Sequence, residues 1–516
     1  MRVYVTKDIT ARTFGSTRLL HITLKGALSE YGSVFARLVE LQKPLAFILQ
    51  HNADCSYECD WTVLSELLTH MTAIRRITIW WCNPPSPTTT CGGFAPTHYQ
   101  CAFAELDRSL IRLATLTQLD LRSSCSTRLP DSIGTLAALT SLCLEHCCAL
   151  TRLPDSLGCL TALIRLNLSE CFELNELPES LGQLTALVTL DIIWCRALTR
   201  LPESLGQLVR LETLDLSKCH ALLALPDSLG QLAALTTLTL NKCFALVRLP
   251  ESLGRLTALT ILRLGACDAL TALPGSLGQL VALNMLDLTL CDALTMLPDS
   301  IGGMQRLEIL QVKQFDGVLA ELPESLGQLT ALRTLDVGCN ALTRLPDSLG
   351  QLTALRKLVV ACSALTRLPE SLGQLTALHT LKFEYCLALT RLPITAAFLP
   401  DILNITVDRF NHIVFPPSDM FRRGMPAIKD YLLAHHYPCK IMMLILVARH
   451  HQHHHQQKQQ QLQQHHQQQQ QQHHQQQHHQ QQHHQFQHLP IELWLLFYNM
   501  VCEADIYMLK IDKHTC

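Results

Sequence analysis

Residues 163–186 read LIRLNLSECFELNELPESLGQLTA, and this stretch recurs along most of the 516-residue chain with few changes. A Leu-Pro pair marks each copy, with prolines at 130, 154, 178, 202, 226, 250, 274, 298, 323, 346, 369 and 393. The first seven steps between these prolines are 24 residues long, and the rest are 25, 23, 23 and 24. About twelve copies at a fixed period predict a stack of similar structural units.

The two halves of the unit predict two backbone conformations. In the first half, apolar and polar residues alternate around Leu166 and Leu168, which is typical of a short strand with one buried face. In the second half, Pro178 and Glu179 suit a first helical turn, and leucines follow at three-residue spacing. Because one unit cannot bury its leucines alone, stacking predicts an α/β solenoid. Its concave side is a parallel β-sheet, and helical or 3-10 segments form its convex side.

The spacing Leu163-x-x-Leu166-x-Leu168-x-x-Cys171, followed by Leu-Pro-x-x-Leu-Gly, resembles leucine-rich repeats. The likeness is greatest to those of intracellular Ras-group proteins and plant disease-resistance receptors, and it covers residues 110–414. The resemblance implies a horseshoe fold and a non-enzymatic interaction module or scaffold. It also implies roles in intracellular signalling and immune-type recognition.

The regions outside the repeats divide the chain further. We expect an irregular N-terminal region at 1–109, with a degenerate repeat at 71–82 that matches the strand pattern. The Pro-Pro…Gly…Ala-Ile…Tyr-Leu pattern after residue 415 resembles the closing tail of Ras-group repeats, which implies a C-terminal helical cap at 415–449. Residues 450–488 are almost entirely glutamine and histidine, a composition that predicts disorder.

A short apolar segment at 489–516 ends the sequence. Its start, Leu-Pro-Ile-Glu-Leu-Trp-Leu-Leu-Phe, predicts a helix and resembles the opening of an F-box, a module that docks a ubiquitin-ligase scaffold. The resemblance implies an alternative function, a substrate-recruiting ubiquitin-ligase adaptor that binds through Leu493, Trp494 and Phe497. The segment is shorter than a whole F-box, so a terminal amphipathic helix is the other interpretation.

Composition narrows the functional classes. A net charge of −2 and a pI near 6.9 disfavour a nucleic-acid partner, and the longest apolar run is too short to span a membrane. Many of the 22 cysteines are periodic and no secretory signal accompanies them, which favours a reducing compartment over disulfides. We therefore expect a cytoplasmic protein and leave the nucleus open. The sequence predicts no catalytic residue, no metal and no cofactor.

The periodic cysteines follow the second strand leucine, or its substitute, by three residues. In leucine-rich repeats this inner position holds Asn or Cys, which satisfies backbone groups of the turn, so we expect a structural role and assign Asn340 to it in one repeat. A metal site is disfavoured, since one ligand per strand forms a line rather than a tetrahedron. The cysteines concerned are Cys147, Cys171, Cys195, Cys219, Cys243, Cys267, Cys291 and Cys386. A separate pair, Cys55 and Cys59, is a weak zinc signal.

Two further columns accompany each Leu-Pro pair. An arginine often precedes the pair, and an acidic residue usually follows the proline. The opposite charges of these two columns predict a solvated lattice in which they compensate each other, and an anion-binding stripe is the alternative. The glycine of the recurrent Ser-Leu-Gly is attributed to a tight return rather than to a phosphate loop. The arginines that precede the pair are Arg128, Arg152, Arg200, Arg248, Arg344, Arg367 and Arg391.

Residues that flank the buried strand leucines predict the binding surface, because they vary without disturbing the core. Trp194 is the candidate aromatic anchor, unless its indole lies over neighbouring strand residues. Aspartates between the strand leucines, such as Asp120 and Asp336, are interpreted as a polar surface because Thr239 and Arg263 interrupt their column. The predicted protein-binding residues are Asp191, Ile193, Trp194, Asp215, Lys218, Asn241, Lys242, Arg263, Asp287 and Leu290.

Overall fold

A computed structural model describes the backbone of strands at 2–5, 9–12, 19–24 and 46–51, and residues 75–80, 111–123 and 126–435. The chain divides into two compact units, residues 1–435 and 436–516, and all described residues lie in the first. The Gln/His tract, the tail with its candidate residues and the Cys55–Cys59 pair therefore lie outside the described residues.

One open parallel sheet organises the first unit. Its sixteen strands follow one another in chain order, and every pairing is parallel. A separate antiparallel ladder joins β1 (Arg2–Val5) to β2 (Ile9–Arg12). The strands of the open sheet are β3 (Leu19–Leu24), β4 (Ala46–His51), β5 (Arg76–Trp80), β6 (Gln118–Asp120), β7 (Ser141–Cys143), β8 (Arg165–Asn167), β9 (Thr189–Asp191), β10 (Thr213–Asp215), β11 (Thr237–Thr239), β12 (Ile261–Arg263), β13 (Met285–Asp287), β14 (Ile309–Gln314), β15 (Thr334–Cys339), β16 (Lys357–Val360), β17 (Thr380–Phe383) and β18 (Asn404–Val407).

Each repeat contributes one strand, as the alternation predicted. The strands pair in register, so that Leu166 lies beside Leu190 and Leu190 beside Leu214. The sheet also begins earlier than the regular repeat does. The sequence pattern located β5, whereas β3 and β4 extend the sheet to Leu19.

The return segments are 3-10 turns of five residues each, which confirms the 3-10 form of the prediction. Each follows a proline in an extended conformation, such as Pro178 with φ −71° and ψ 150°. Within the described part of the chain these turns are Asp131–Thr135, Asp155–Cys159, Glu179–Gln183, Glu203–Gln207, Asp227–Gln231, Glu251–Arg255, Gly275–Gln279, Asp299–Gly303, Glu324–Gln328, Asp347–Gln351, Glu370–Gln374 and Ile394–Phe398.

The core is a continuous column of leucines between the sheet and the turns. In the unit that defines the repeat, Leu163, Leu168, Leu174 and Leu181 are all fully buried. A fully buried leucine contributes roughly 1.5–3 kcal/mol relative to an exposed one. The same positions are buried in successive repeats, so each unit is stabilised mainly by its two neighbours.

Within the described residues, two α-helices follow strand β18. Helix α1 (Ser418–Arg423) and helix α2 (Met425–His435) are separated by Gly424, whose φ of +83° favours glycine. Helix α2 packs against the 3-10 turn at 394–398 and buries Met425, Ile428 and Leu432 in the core. Among the described residues, no helix is long and apolar enough to cross a membrane.

Candidate protein-binding surface

The predicted binding residues fall into three parallel rows. Asp191, Asp215, Arg263 and Asp287 end their strands and form the strand-end row, in which Asp215 lies beside Asp191 and Arg263 beside Asp287. All four are partly exposed, while the leucines on either side are buried. The strand-end row therefore places three aspartates and one arginine on a support of buried leucines.

Two residues beyond the strand end lies a second row, which contains Ile193 and Asn241. Both are partly exposed. The Asn241 Oδ1 atom accepts a hydrogen bond of 2.8 Å from the Gly265 amide of the next repeat. This row thus joins consecutive repeats while part of its surface stays accessible.

The third row, the left-handed row, lies in the turn after the strand rather than on the strand itself. Trp194, Lys218, Lys242 and Leu290 have φ between 62° and 65°, a conformation that costs roughly 1–2 kcal/mol for a residue other than glycine. The conformation places each amide against the next repeat. The Trp194 amide, for example, donates to the Ser217 carbonyl over 2.7 Å. Inter-repeat hydrogen bonding offsets the backbone strain.

Trp194 is half-buried among its neighbours. Its ring meets the edge of Phe172 with centroids 5.7 Å apart. The Lys218 Nζ lies 4.3 Å from the Trp194 centroid, and the Arg196 guanidinium carbon lies 4.9 Å from it. The Trp194 Nε1 is buried and has no hydrogen-bond partner among the described residues. The indole thus packs on neighbouring side chains, and an anchoring role remains a prediction.

The strand-end aspartates stabilise the turn that follows them. The Oδ1 atoms of Asp215 and Asp287 accept hydrogen bonds from the amides of Ser217 and Thr289, over 2.9 and 3.0 Å. Asp336 instead forms a 2.9 Å ion pair with Lys313. These contacts agree with a polar strand surface.

Asp191 differs from the other strand-end aspartates, because no hydrogen bond or ion pair to its carboxylate is found within the described residues. Burial and the neighbouring carboxylate of Asp215 raise the pKa of Asp191, while Arg165 opposes the shift. The ionised form of Asp191 is therefore disfavoured by its surroundings, and a cationic group placed beside it would stabilise that form.

The cysteine column is structural in its geometry. Each buried thiol donates to a carbonyl of the preceding repeat, as Cys219 does to Ile192 over 3.0 Å. Burial raises the pKa of Cys219 to about 12 and that of Cys386 to about 11, which disfavours the reactive thiolate. In the described residues no three His, Cys, Asp or Glu side chains are placed to hold a metal ion.

The assignment of Asn340 to this column is wrong. Cys339 is fully buried and donates to the Val312 carbonyl over 3.5 Å, whereas Asn340 is partly exposed. The repeat here is one residue short between strand and turn, so counting forward from the strand leucine overshoots by one. Cys362 also belongs to the column, and in the longer repeat Gln314 takes the position, donating to the Leu294 carbonyl over 3.0 Å.

The charges beside the Leu-Pro pairs are arranged differently from the predicted compensation. Among the seven arginines, Arg344 alone lies within ion-pair distance of a described carboxylate, that of Glu321 at 3.5 Å. Four of the five glutamates that follow the prolines instead accept backbone amides of the next repeat, namely Glu179, Glu203, Glu251 and Glu324. Glu251, for example, accepts the amides of Gly275 and Ser276 at 3.0 Å each.

The recurrent glycine is required by close packing between repeats, not by a left-handed turn. Among the described glycines only Gly424 has positive φ. A Cβ on Gly206 would lie 2.5 Å from the Ser228 carbonyl oxygen in the next turn. The recurrent glycine is therefore explained by close contact between stacked turns and not by the predicted tight return.

Sequence reasoning missed the residues directly after the cysteine column. Phe172, Arg196, His220 and Phe244 occupy this position in four consecutive repeats. Phe172 and Arg196 contact the Trp194 ring, and His220 stacks on Phe244 with centroids 4.7 Å apart. Reading this column across the repeats, as was done for the strand, could have found them.

Comparisons with known proteins agree with this architecture. A family model described as a leucine-rich repeat region matches residues 314–395. A solved leucine-rich-repeat protein of Leptospira interrogans is 24% identical with a TM-score of 0.57, over 78% of this chain and 98% of that one. A glycosylated Drosophila Toll–Spatzle complex gives 19% identity and a TM-score of 0.57, over 78% of this chain and 53% of that one. At these identities the solved structures show the fold alone. No curated protein matches the chain.

Proposed function

Because this chain is a leucine-rich-repeat protein, we propose that it is a non-enzymatic interaction module whose concave sheet binds a protein partner. The observation that carries the proposal is the strand-end row. Its support is uniform, with Leu190, Leu214 and Leu262 all buried, whereas the partly exposed strand ends change along the sheet from Asn167 through Asp191 and Asp215 to Arg263. A purely structural role would not require different side chains at these exposed positions.

The chemistry of the row favours a protein partner. Asp191 and Asp215 place two carboxylates on adjacent strands, and Arg263 stands between Thr239 and Asp287. Such a mixture of charges suits a surface that also carries both signs. Roles in intracellular signalling or immune-type recognition belong to this proposal through the resemblance of the repeats to those of intracellular Ras-group proteins and plant disease-resistance receptors. A cytoplasmic location belongs to the same proposal, because the buried cysteines of the described repeats form no disulfide bonds.

The test is affinity capture with the full chain as bait in extract of its native cell, followed by mass spectrometry. The variant Asp191→Lys/Arg263→Glu changes the strand-end row without changing net charge. Arg210→Glu/Glu212→Lys is its matched control, because both residues are exposed and lie before the strand. We expect the first variant to lose specific partners and the second to retain them. Retention of every partner by both variants would contradict the proposal.

The adaptor function is proposed second, on the F-box-like segment alone. It predicts that ubiquitin-ligase components co-purify with the full chain. Their recovery should depend on the tail residues Leu493, Trp494 and Phe497 and should survive the Asp191→Lys/Arg263→Glu change. Recovery that does not change when these three residues are replaced by alanine would remove this function.

A further inference from the structure

Beside the strand-end row lies a cationic and aromatic patch, here called the rim strip. It consists of Trp194, Arg196, Lys218, His220, Lys242 and Phe244, from three consecutive repeats. At roughly 4.8 Å between adjacent strands, its three cationic side chains lie within about 10–15 Å along the sheet. This length matches three or four residues of an extended peptide at about 3.3 Å each.

Two of the three cations of the rim strip, Arg196 and Lys218, contact aromatic rings. Arg196 lies over the rings of Phe172 and Trp194, and Lys218 lies over Trp194. Cation–π contact orients a charge and leaves its N–H groups free to donate. No carboxylate of the described residues lies within ion-pair distance of Arg196, Lys218 or Lys242. Burial and then these three cations lower the pKa of His220, which agrees with a net positive charge around it.

The next repeats along the same edge carry the opposite sign. Asp268, Asp292 and Asp316, here called the acidic block, form no ion pair with a described cation. Burial, then Asp316 and Asp268, raise the pKa of Asp292. The two charge sets are therefore segregated along this edge rather than interleaved, and neither forms ion pairs within the described residues.

We propose that this edge binds an extended peptide segment of a partner protein, with an acidic run over the rim strip and a basic run over the acidic block. The inference rests on the proposed function, since the rim strip shares Trp194, Lys218 and Lys242 with the candidate binding surface. Exposed apolar area adds to the charge match, because Phe244 is 39% and Phe315, beside Asp316, is 52% exposed.

The acidic block decides between a peptide and a nucleic acid. A phosphodiester backbone carries a negative charge at every nucleotide. A nucleic-acid strand longer than the rim strip would therefore meet the carboxylate of Asp268 at one end. At the other end it would meet Glu170, which already pairs with His146 at 3.0 Å. A peptide can change the sign of its charge along its length and therefore matches the whole edge.

The experiment measures binding of labelled ten-residue peptides to the full chain by fluorescence anisotropy at low salt. The probe is EEEEGGKKKK, and its control is EKEKGGEKEK, which has the same composition and no net charge. Both are compared with a ten-nucleotide thymidine oligonucleotide. The protein variants are Lys218→Glu/Lys242→Glu and the matched control Lys357→Glu/Lys382→Glu, which makes the same charge change on distant strands.

We expect the segregated peptide to bind more tightly than the alternating one. The Lys218→Glu/Lys242→Glu variant should bind the segregated peptide about tenfold more weakly, because two exposed ion pairs with its glutamates are replaced by repulsion. The Lys357→Glu/Lys382→Glu control should leave the affinity unchanged. Equal affinity for the two peptides, retained affinity in the rim variant or absence of binding would overturn the inference. Tighter, lysine-dependent binding of the oligonucleotide would also overturn it in favour of a nucleic acid.

Failure here is separable from failure of the proposed function. If the peptides do not bind while Asp191→Lys/Arg263→Glu still abolishes partner capture, the concave sheet remains the binding surface without the rim strip. If partner capture is unchanged in Asp191→Lys/Arg263→Glu and also in Lys218→Glu/Lys242→Glu, the proposed function fails as a whole.

Discussion

Replacing one glycine of the stacked 3-10 turns should destabilise the solenoid strongly. In Gly206→Ala the new Cβ would lie 2.5 Å from the Ser228 carbonyl oxygen and 2.8 Å from the Ser228 Cβ. Backbone atoms cannot rotate away, so adjacent turns must separate. Overpacking of this kind costs about 1–3 kcal/mol, and the backbone partner favours the upper end.

The matched control is Gly275→Ala, in the equivalent type of turn. There the nearest atoms to a new Cβ are the Glu251 carboxylate oxygens, 4.0 Å away. Alanine restricts the unfolded chain without a clash, so the change should be neutral or stabilise by up to about 1 kcal/mol.

The assay is urea unfolding of the full chain followed by circular dichroism. With a slope of about 3 kcal/mol per M, Gly206→Ala should lower the midpoint by up to about 1 M, and Gly275→Ala should not lower it. Equal midpoints for Gly206→Ala and the wild type would refute the argument that close contact between turns selects glycine.

Three further predictions concern titrating groups. Because burial raises the pKa of Cys219 to about 12, iodoacetamide at pH 8 should label the exposed Cys159 and spare Cys219 in the folded protein; equal rates would contradict the buried column. The raised pKa of Asp191 means that its carboxyl group binds a proton more tightly in the folded than in the unfolded state. Stability therefore falls as pH rises above the pKa of this group in the unfolded chain. Asp191→Asn should therefore raise the urea midpoint at pH 7 but not at pH 3, and no gain at pH 7 would count against the shift. Backbone amides lower the pKa of Glu251, so its stabilisation is present above the unfolded pKa and lost as pH falls. Glu251→Gln should be less stable than wild type at pH 7 and equal to it near pH 3, and a constant difference would contradict the assignment.

The fold could be predicted from sequence because its information is local and repeated. The alternation around Leu166 and Leu168 predicts one strand per unit, and the 24-residue period predicts in-register stacking. The N-terminal strands β3 and β4 were not located, because they lie outside the Leu-Pro period that made the strands of the regular repeats recognisable. Asn340 was misassigned for a similar reason, since counting assumed a constant length that the 23-residue repeat lacks.

The candidate surface was only partly predictable. Periodicity placed Asp191, Asp215 and Arg263 in one row, which the strand pairing confirms. It did not predict that Trp194 adopts a left-handed conformation or packs against Phe172, because these features depend on contacts between repeats. The use of Glu251 as an acceptor for the next turn was hidden for the same reason.

The central claim, that a protein partner covers the concave sheet, is tested most directly by carboxylate footprinting of the full chain with and without a captured partner. The claim predicts that labelling of Asp191 and Asp287 falls when the partner is bound. Asp155 and Asp227, exposed on the 3-10 turns of the convex side, should be labelled equally in both samples. Protection of Asp155 and Asp227 with unchanged labelling of Asp191 and Asp287 would contradict the claim.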